Sequence, residues 1–577
     1  MQILEIIEQS TPLGVIGSPS DSFEAVVDIL GISSEQKLLG ELVFFTVPEG
    51  ENTIVSIGQI TDIRTENKWH EEPSFKAVIK RHGSLPHLSG NADNRIAKLT
   101  VQSSFKISEE INAHKLANSP STGNKVCAVT NDIMVQLLKT STQNQIVEYL
   151  GCAYDTEVRI PFWFKHFGKD TGGAGDAYHI GVFGKTGSGK TTTAAQVLKG
   201  YATNKNHMSI LVLDPQEQFY TDTELLPDNM SFKDEVIKKG MKYKAIKVPE
   251  DVHFPDDPEV FSELLRTSGF IRKFFNITTE EKQIAMCESI SEYIETRILY
   301  TKKGSFLGTV NAKKLLEDIL TRFLEHKTET EKKQKCSRYF ASVYAPGAQR
   351  NIRIDLMTDK LDALKKEKAL KEVSILENIL ALFSSSSNKI SLDDMVHRVV
   401  KEKGWLYIIN LSTRGTHNIG SDNIQALLIK LITKKVVEAS EELYSAGDKS
   451  NCLIVMDEAH RYTNSTASDP RIKELNKNII DAVRTTRKYG IGYMFITQTI
   501  ESLDEEIIQQ MRIFAFGYGL TMGKEFGKIK QIINDDNAAK FYKSFIDPSS
   551  NKKYPFMFHG PISPLSFTGS PLFLEMK

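Results

Sequence analysis

Residues 184–191 read Gly-Lys-Thr-Gly-Ser-Gly-Lys-Thr, a spacing of glycines and basic residues that can hold a polyphosphate. The glycines let backbone N–H groups turn inward around phosphates, and the helical pattern at 192–201 adds the positive end of a helix dipole. Lys190 can reach the β- and γ-phosphates, and the Thr191 hydroxyl can hold Mg²⁺. The alternative is a glycine-rich turn that binds nothing. The apolar, strand-like run at 179–183 directly before the loop favours the phosphate site.

The motif therefore predicts a nucleoside triphosphate site, with ATP and Mg²⁺ as its ligands. A strand before the loop and a helix after it are typical of an α/β core. The predicted nucleotide contacts are Gly184, Lys185, Thr186, Gly187, Ser188, Gly189, Lys190, Thr191 and Thr192.

A second apolar run, at 453–456, ends in the two acids Asp457 and Glu458. A continuous apolar run is typical of a buried parallel strand, and open α/β sheets bind ligands beyond the C-terminal ends of their strands. We expect Asp457 to support Mg²⁺, directly or through water, and Glu458 to polarise the attacking water as a general base. The alternative is that the two acids cap the start of a helix. Beside so complete a phosphate loop, the catalytic interpretation is favoured.

Three further polar residues complete the predicted catalytic set with Lys190 and Glu458. Gln498 ends the apolar run at 495–497, where its amide could touch both the γ-phosphate and the water, or could simply cap a loop. Phosphoryl transfer also needs positive charge, often from an arginine across a subunit boundary. Arg487 and, second, Arg484 precede the Gln498 strand on a predicted helix. For each, solvated surface charge is the alternative, and the sequence does not say which subunit it serves.

The bulk composition limits the class of protein. A chain of 577 residues exceeds a single core and should hold two or more domains. The net charge of −1 gives no overall basic signal for nucleic acid, although a ring can confine positive charge to its channel. The cysteines are scattered without a C-x-x-C pair and predict buried thiols. No apolar run approaches the roughly 20 residues that span a bilayer, so we expect a cytoplasmic protein with no membrane partner.

Short apolar segments punctuated by glycines at 11–110 predict a small β-barrel, with a returning strand at 96–101; a β-sandwich is the alternative. Apolar residues at three- and four-residue spacing predict helices between the two segments of the α/β core. The C-terminal segment could pack on its own core or on a neighbouring subunit. The predicted divisions are a barrel at 1–110, a connector at 111–177, a first core segment at 178–254, a helical insertion at 255–402, a second core segment at 403–550 and a C-terminal arm at 551–577.

The acids belong to the tetrad Asp-Glu-Ala-His at 457–460, which resembles the box of a large two-lobed helicase superfamily. That interpretation fails because the residues after the tetrad already complete one sheet and leave no second lobe. His460 is therefore interpreted as a coupling or packing residue.

Together, the barrel, the phosphate loop, the acidic strand and the run Arg-Lys-Tyr-Gly-Ile-Gly at 487–492 before Gln498 resemble the HerA family of hexameric DNA-translocating ATPases. Residues 40–43 and 58–60 resemble the family's N-terminal HAS barrel, and the pair Asp214-Pro215 its aspartate–proline turn. The phosphate loop alone is generic, whereas the combination is specific. The resemblance implies a RecA-like P-loop ATPase core with a helical insertion, preceded by a small β-barrel.

The resemblance also implies a homohexameric ring with ATP between subunits and DNA, double- or single-stranded, in the pore. A partner nuclease would dock on the barrel face: NurA in archaeal relatives that resect DNA ends, and sirtuin-like or other nuclease effectors in bacterial anti-phage defence. The length and the divergent barrel are more similar to the bacterial defence type. A ring scaffold that regulates an effector is the alternative to a motor, and a membrane-bound conjugation pump is disfavoured.

Two positions depart from the family pattern. The turn after the second core strand has Gln218 before Phe219, with the acid shifted to Glu217. Tyr178, beside His179, stands where relatives often have an arginine. If that arginine acts across the subunit boundary in relatives, another residue must serve here, or hydrolysis is weaker.

Overall fold

The computed structural model describes residues 2–108, 111–141, 147–170, 172–222, 225–300, 305–366, 370–412, 422–463, 470–550, 553–566 and 569–576. The chain divides into two compact units. The first unit comprises Met1–Met208, Asp222–Met241 and Gly492–Lys577, and the second comprises Ser209–Thr221 and Lys242–Ile491. Within the described ranges, no helix has both the length and the apolar character that crossing a membrane requires. All five cysteines are buried free thiols, as the sequence predicts.

A closed β-barrel forms the N-terminal region of the first unit. Its antiparallel ring runs in the order β2-β1-β7-β3-β4-β5, and β2 pairs back with residues 96–100 of β5. β6 pairs with residues 104–107 of β5, beyond the part that pairs with β2. The strands are β1 (Pro12–Ile16), β2 (Glu24–Ile29), β3 (Leu42–Glu49), β4 (Asn52–Glu66), β5 (Asn94–Ile107), β6 (Ile111–His114) and β7 (Lys125–Ala128). The helices are α1 (Gln2–Gln9), α2 (Lys68–Glu71), α3 (Pro73–His82) and α4 (Asn131–Ser141).

The barrel closes because its two long strands bend. The register of β4 against β5 shifts between Ile57 and Gly58 and again between Ile60 and Asp62. A Cβ on Gly58 would lie 2.3 Å from the carbonyl oxygen of Thr100, so the glycine permits the close strand approach at the first bend. The ring needs β7, which lies beyond the predicted barrel end at residue 110.

The first unit continues with a sheet in the order β17-β10-β18-β19-β20-β8-β9. β17, β10 and β18 are parallel, and the remaining pairs are antiparallel. The strands are β8 (Val147–Ala153), β9 (Arg159–Trp163), β10 (His179–Phe183), β17 (Ile491–Thr497), β18 (Met511–Gly517), β19 (Tyr554–His559) and β20 (Leu572–Met576). The helices are α5 (Lys190–Tyr201), α6 (Phe232–Lys238), α18 (Glu505–Gln510), α19 (Gly523–Ile533) and α20 (Asp536–Lys543).

The second unit contains a parallel sheet in the order β12-β15-β11-β16. Strands β11, β15 and β16 are apolar and buried, whereas the lysine-rich edge strand β12 is largely half-buried. Its strands are β11 (Ser209–Asp214), β12 (Lys242–Lys247), β15 (Trp405–Asn410) and β16 (Cys452–Met456), with the separate pair β13 (Val252–His253) and β14 (Ile390–Ser391). Its helices are α7 (Pro258–Thr267), α8 (Phe270–Phe274), α9 (Glu280–Tyr300), α10 (Ala312–Leu324), α11 (Glu329–Gln334), α12 (Arg338–Ala341), α13 (Ala348–Lys365), α14 (Val373–Ala381), α15 (Leu392–His397), α16 (Asp422–Ser445) and α17 (Pro470–Thr485).

The predicted fold class is confirmed: an α/β core with a helical insertion follows a small β-barrel. The C-terminal segment, for which the sequence left packing on its own core or on a neighbouring subunit open, is regular. It forms β19 and β20, which pair with β18 and β8 of the same unit. Its apolar side chains are buried there, so this segment packs on its own chain.

Candidate active site

The phosphate loop, residues 184–189, connects β10 to α5, and its path depends on glycine. Gly187 and Gly189 have φ angles of +82° and +84°, in the left-handed region that side chains disfavour. A Cβ on Gly184 would lie 2.4 Å from Ser188 Oγ. The Ser188 N–H donates to the Lys185 carbonyl at 3.0 Å, which closes the turn. The spacing of glycines read from the sequence is therefore the spacing that this turn requires.

Lys190 begins α5 and returns over the loop. Its Nζ donates to the Lys185 carbonyl oxygen at 3.0 Å, and only 8% of the residue is exposed. Thr191 and Thr192 follow in the first turn and are half-buried. An ammonium held beside inward-turning glycines, at the start of a helix, fits the phosphates of a nucleotide. The loop is therefore suited to bind the phosphates of ATP.

Gln498 is brought to the phosphate loop by strand pairing. β10 and β17 are parallel, and Phe183 pairs with Thr497, so both strands end at the same edge of the sheet. The Thr186 hydroxyl donates to Gln498 Oε1 at 3.3 Å. The amide thus contacts the loop itself, as a residue that senses the bound phosphates would need to do.

The C-terminal strands supply neighbours of the phosphate loop that sequence reasoning missed. A Cβ on Gly189 would lie 2.4 Å from Cγ of Tyr554, the first residue of β19. The Lys185 N–H donates to the Tyr518 carbonyl at 3.2 Å, directly after β18. No local pattern marks these contacts, because they join segments more than 300 residues apart along the chain.

The acid strand, β16 with Asp457 and Glu458, lies beside β11 in the second unit. The Asp457 N–H donates to the Leu213 carbonyl at 3.3 Å, and Asp457 is 2% exposed. Asp214, which ends β11, is fully buried and accepts hydrogen bonds from the backbone N–H groups of Gln218 and Tyr220. Burial raises the pKa of Asp214, and these N–H groups oppose that rise.

Glu458 does not act as a helix cap. It precedes a short 3₁₀ helix, Ala459–Arg461, but its side chain accepts no capping hydrogen bond. Its φ of +49° is unusual for a residue with a side chain, and such backbone strain is typical of functional sites. One carboxylate oxygen lies 3.1 Å from Nδ1 of His460. The structure therefore gives His460 a definite place, against the acid predicted to be the general base.

The displaced acid of the turn, Glu217, is also held in place. It has a φ of +67°, and its carboxylate accepts hydrogen bonds from Asn410 Nδ2 at 2.9 Å and from the Ser412 hydroxyl at 3.3 Å. Asn410 ends β15 and Asp214 ends the neighbouring β11. Glu217 thus joins the turn after β11 to the end of the adjacent strand.

The two candidate arginines belong to the second unit. Arg484 lies in the last turn of α17 and is exposed, whereas Arg487 is half-buried in the short 3₁₀ turn Thr486–Tyr489. Both precede β17 along the chain. Their contribution to a catalytic site stays a prediction.

Tyr178 fills the position where an arginine was expected and serves the core. Its hydroxyl donates to the Lys165 carbonyl at 3.2 Å and lies 2.6 Å from the Tyr201 hydroxyl. Burial raises its pKa to about 12, so it stays neutral. Tyr178 therefore supplies no positive charge to a nucleotide.

Comparison with known proteins agrees with this loop geometry. Residues 177–436 match the family model described as "Helicase HerA, central domain". No curated protein sequence matches the chain. The matched region spans less than half of the chain and includes the phosphate loop and the whole helical insertion predicted at 255–402. The protein is a P-loop ATPase whose central region resembles that of HerA.

Several solved structures resemble parts of this chain at low sequence identity. VirB4 of Thermoanaerobacter pseudethanolicus is 14% identical, over 75% of this chain and 97% of that chain, with a TM-score of 0.39. The genome packaging NTPase B204 from Sulfolobus turreted icosahedral virus 2, solved with ATP-gammaS, is 14% identical over 31% and 70%, with a TM-score of 0.20. The pCW3 conjugation coupling protein TcpA, solved with ATPgS, is 9% identical over 92% and 86%, with a TM-score of 0.25.

Proposed function

We propose that this ATPase is a hexameric DNA translocase or helicase that assembles with, and powers or activates, a nuclease-type or sirtuin-like effector. The observation that carries the proposal is the phosphate loop, which Gln498 contacts and which itself lies inside the region that matches the HerA central domain, residues 177–436. The effector's place on the barrel face and a role in anti-phage defence rest on the resemblance of the barrel to the bacterial type.

Each predicted site residue has a role in ATP hydrolysis. Lys190 binds the β- and γ-phosphates, and Gln498 senses the γ-phosphate through the loop. Glu458 orients and deprotonates the attacking water, and His460 positions its carboxylate. Thr191 and Asp457 would hold Mg²⁺, which neutralises charge on the phosphates when it is bound.

A composite site between neighbouring copies explains the position of the arginines. Arg487 precedes the first residue of β17, whereas Gln498 follows the last one. At about 3.3 Å per residue, the seven residues of β17 span roughly 23 Å. If the C-terminal end of β17 places Gln498 beside the nucleotide of the same subunit, Arg487, before the N-terminal end of β17, lies far from that nucleotide. We assign Arg487, and second Arg484, to the nucleotide of the adjacent subunit, a role that Tyr178 cannot fill.

A hydrogen-bonded connection runs from the phosphate loop to the barrel within the first unit. Tyr554 contacts Gly189 at one end of the β19–β20 hairpin. At the other end, the Gln59 amide of β4 exchanges hydrogen bonds with the backbone of Phe573, at 2.8 and 2.9 Å, and is fully buried. We propose that nucleotide binding reaches the effector-docking barrel through this hairpin.

Mixing two inactive variants tests the composite site. The Glu458→Gln subunit still has both arginines, and the Arg487→Ala subunit still has Glu458. If the arginine acts on the nucleotide of a neighbouring subunit, a mixed ring contains some sites with both Glu458 and Arg487. If the arginine acts within its own subunit, a mixed ring contains no such site. We expect each variant alone to be inactive and the mixture to recover some of the ATP turnover. A mixture as inactive as its components would contradict the assignment.

Two measurements on the unmodified protein test the motor itself. With ATP, the particle mass should be six times the 64.9 kDa of the chain. Duplex or single-stranded DNA should raise ATP turnover several-fold. If DNA does not change the rate of ATP turnover, the result would contradict a motor function and favour a ring scaffold that regulates its effector.

A further inference from the structure

A cluster of two histidines and one aspartate lies in the first unit, outside the predicted catalytic set. His166 Nε2 is 2.9 Å from Asp170 Oδ1, and His207 Nδ1 is 3.2 Å from Asp170 Oδ2. The two imidazole rings stack with centroids 4.2 Å apart. One donor atom from each residue lies within 4.8 Å of the others. Two ring nitrogens therefore flank one carboxylate, and the nearly parallel rings aim their nitrogens side by side and not at a shared point.

The donor types and spacing suit a transition-metal ion. Neutral imidazole and carboxylate are common ligands of Zn²⁺ and its neighbours, whereas Mg²⁺ prefers an all-oxygen set. Bonds of about 2.0–2.2 Å to a tetrahedral ion place ligand atoms roughly 3.3 Å apart, a spacing that the exposed His207 ring reaches by turning out of its stack with His166. We propose that His166, Asp170 and His207 bind a divalent transition-metal ion of the Zn²⁺ class, with water completing the coordination.

The backbone before β10 is arranged to present these ligands. The Ala174 N–H donates to the His166 carbonyl at 2.9 Å, and the Gly173 N–H donates to the Asp170 carbonyl at 3.0 Å. A Cβ on Gly168 would lie 2.4 Å from Asp170 Oδ1, so a side chain at this position would displace the carboxylate from its place between the two histidines. His166 is buried, whereas Asp170 and His207 are open to solvent, which provides an entry route for an ion.

The position of the cluster indicates what a bound ion would do. His166 and Asp170 belong to the segment that enters β10, and His207 follows α5. The phosphate loop lies between β10 and α5. An ion would therefore tie together the two ends of the strand–loop–helix element that binds phosphate, as a structural staple.

Cobalt binding to the full-length, nucleotide-free protein tests the proposal. After treatment with a chelator, Co²⁺ is added and its visible ligand-field bands are followed. We expect one equivalent to bind with four-coordinate bands. His207→Ala and Asp170→Asn should each weaken Co²⁺ binding by more than about 100-fold. Loss of a residue that only hydrogen-bonds to a metal ligand costs roughly 10- to 100-fold. Because the His207 side chain is 45% exposed, these variants should keep their fold, which circular dichroism verifies.

Matched variants separate this site from other sources of binding. His82→Ala removes an exposed histidine from α3 and should leave Co²⁺ binding unchanged. Thr191→Ala removes a proposed Mg²⁺ ligand and should also leave it unchanged. Zn²⁺ should slow proteolytic cleavage at 166–175 in the wild type and not in His207→Ala. Absence of Co²⁺ binding, or equal binding by His207→Ala and wild type, would overturn the proposal without touching the proposed ATPase function.

Discussion

The phosphate loop and the acid pair Asp457-Glu458 each follow a buried parallel strand, β10 and β16, but they are built from different regions of the chain. The loop is a backbone site, shaped by the positive φ angles of Gly187 and Gly189. The acid pair is a side-chain site, in which the buried Glu458 carboxylate lies 3.1 Å from Nδ1 of His460. A backbone site tolerates few residue types at each position, whereas a side-chain site depends on partners that hold its charge.

Removal of the loop's buried ammonium should have the largest effect. We expect Lys190→Ala to abolish measurable ATP binding and to lower turnover by about 10²–10³-fold or more, because no other group replaces its charge. Fluorescent-nucleotide binding and phosphate release measure both effects. Lys185→Ala is the matched control, since Lys185 contributes its carbonyl to the loop and its side chain is exposed. If both variants lose ATP binding and turnover equally, the Lys190 ammonium has no specific role in the site.

Neutralising the acid should separate chemistry from binding. We expect Glu458→Gln to retain ATP affinity and to lose about 10²–10⁴-fold in turnover, the range that general base catalysis supplies. Equilibrium binding and single-turnover hydrolysis distinguish the two effects. A variant that loses affinity as strongly as Lys190→Ala would mean that Glu458 serves the loop and not the water.

Adding one methyl group tests how strictly the loop depends on its backbone. Gly189→Ala forces a Cβ to within 2.4 Å of Tyr554 and into a left-handed conformation, which costs roughly 1–2 kcal/mol. We expect ATP affinity to fall by about tenfold or more. Gly50→Ala, at a φ of +62° with open space around it, carries the backbone strain alone and should leave ATP affinity unchanged. The double variant Gly189→Ala/Tyr554→Ala should regain the part of the ATP affinity that Gly189→Ala loses through its contact with the Tyr554 ring.

Loss of the partner of Glu458 should have the smallest effect. We expect His460→Ala to lower kcat by roughly tenfold while KM changes little, because positioning acts on the chemical step. His397→Ala removes a histidine from an exposed pair with Glu402 in the same unit and is the control. Steady-state kinetics decide the case: a selective rise in KM would place His460 in nucleotide binding instead.

Features that depend on neighbouring residues in the sequence could be predicted, whereas contacts between separate segments could not. The glycine spacing at 184–191 and the two acids after an apolar strand are local patterns, and the structure places them in the expected loop and strand end. The contacts of Tyr554, the link from Gln59 to Phe573, and the cluster of His166, Asp170 and His207 leave no local pattern. The first two join segments distant in sequence, whereas His166 and Asp170 lie four residues apart and only His207 comes from a separate segment. Proximity between separate segments is set by strand order.

The sequence by itself determined the phosphate loop, because a turn with left-handed residues admits glycine and little else. It also determined the parallel strands, because burial on both faces demands continuous apolar runs. Only the tertiary structure decided that Tyr178 is a core residue, that the C-terminal segment forms strands on its own chain, and that His460 meets Glu458. Those outcomes depend on which groups share a buried space, and packing fixes that only when the whole chain has folded.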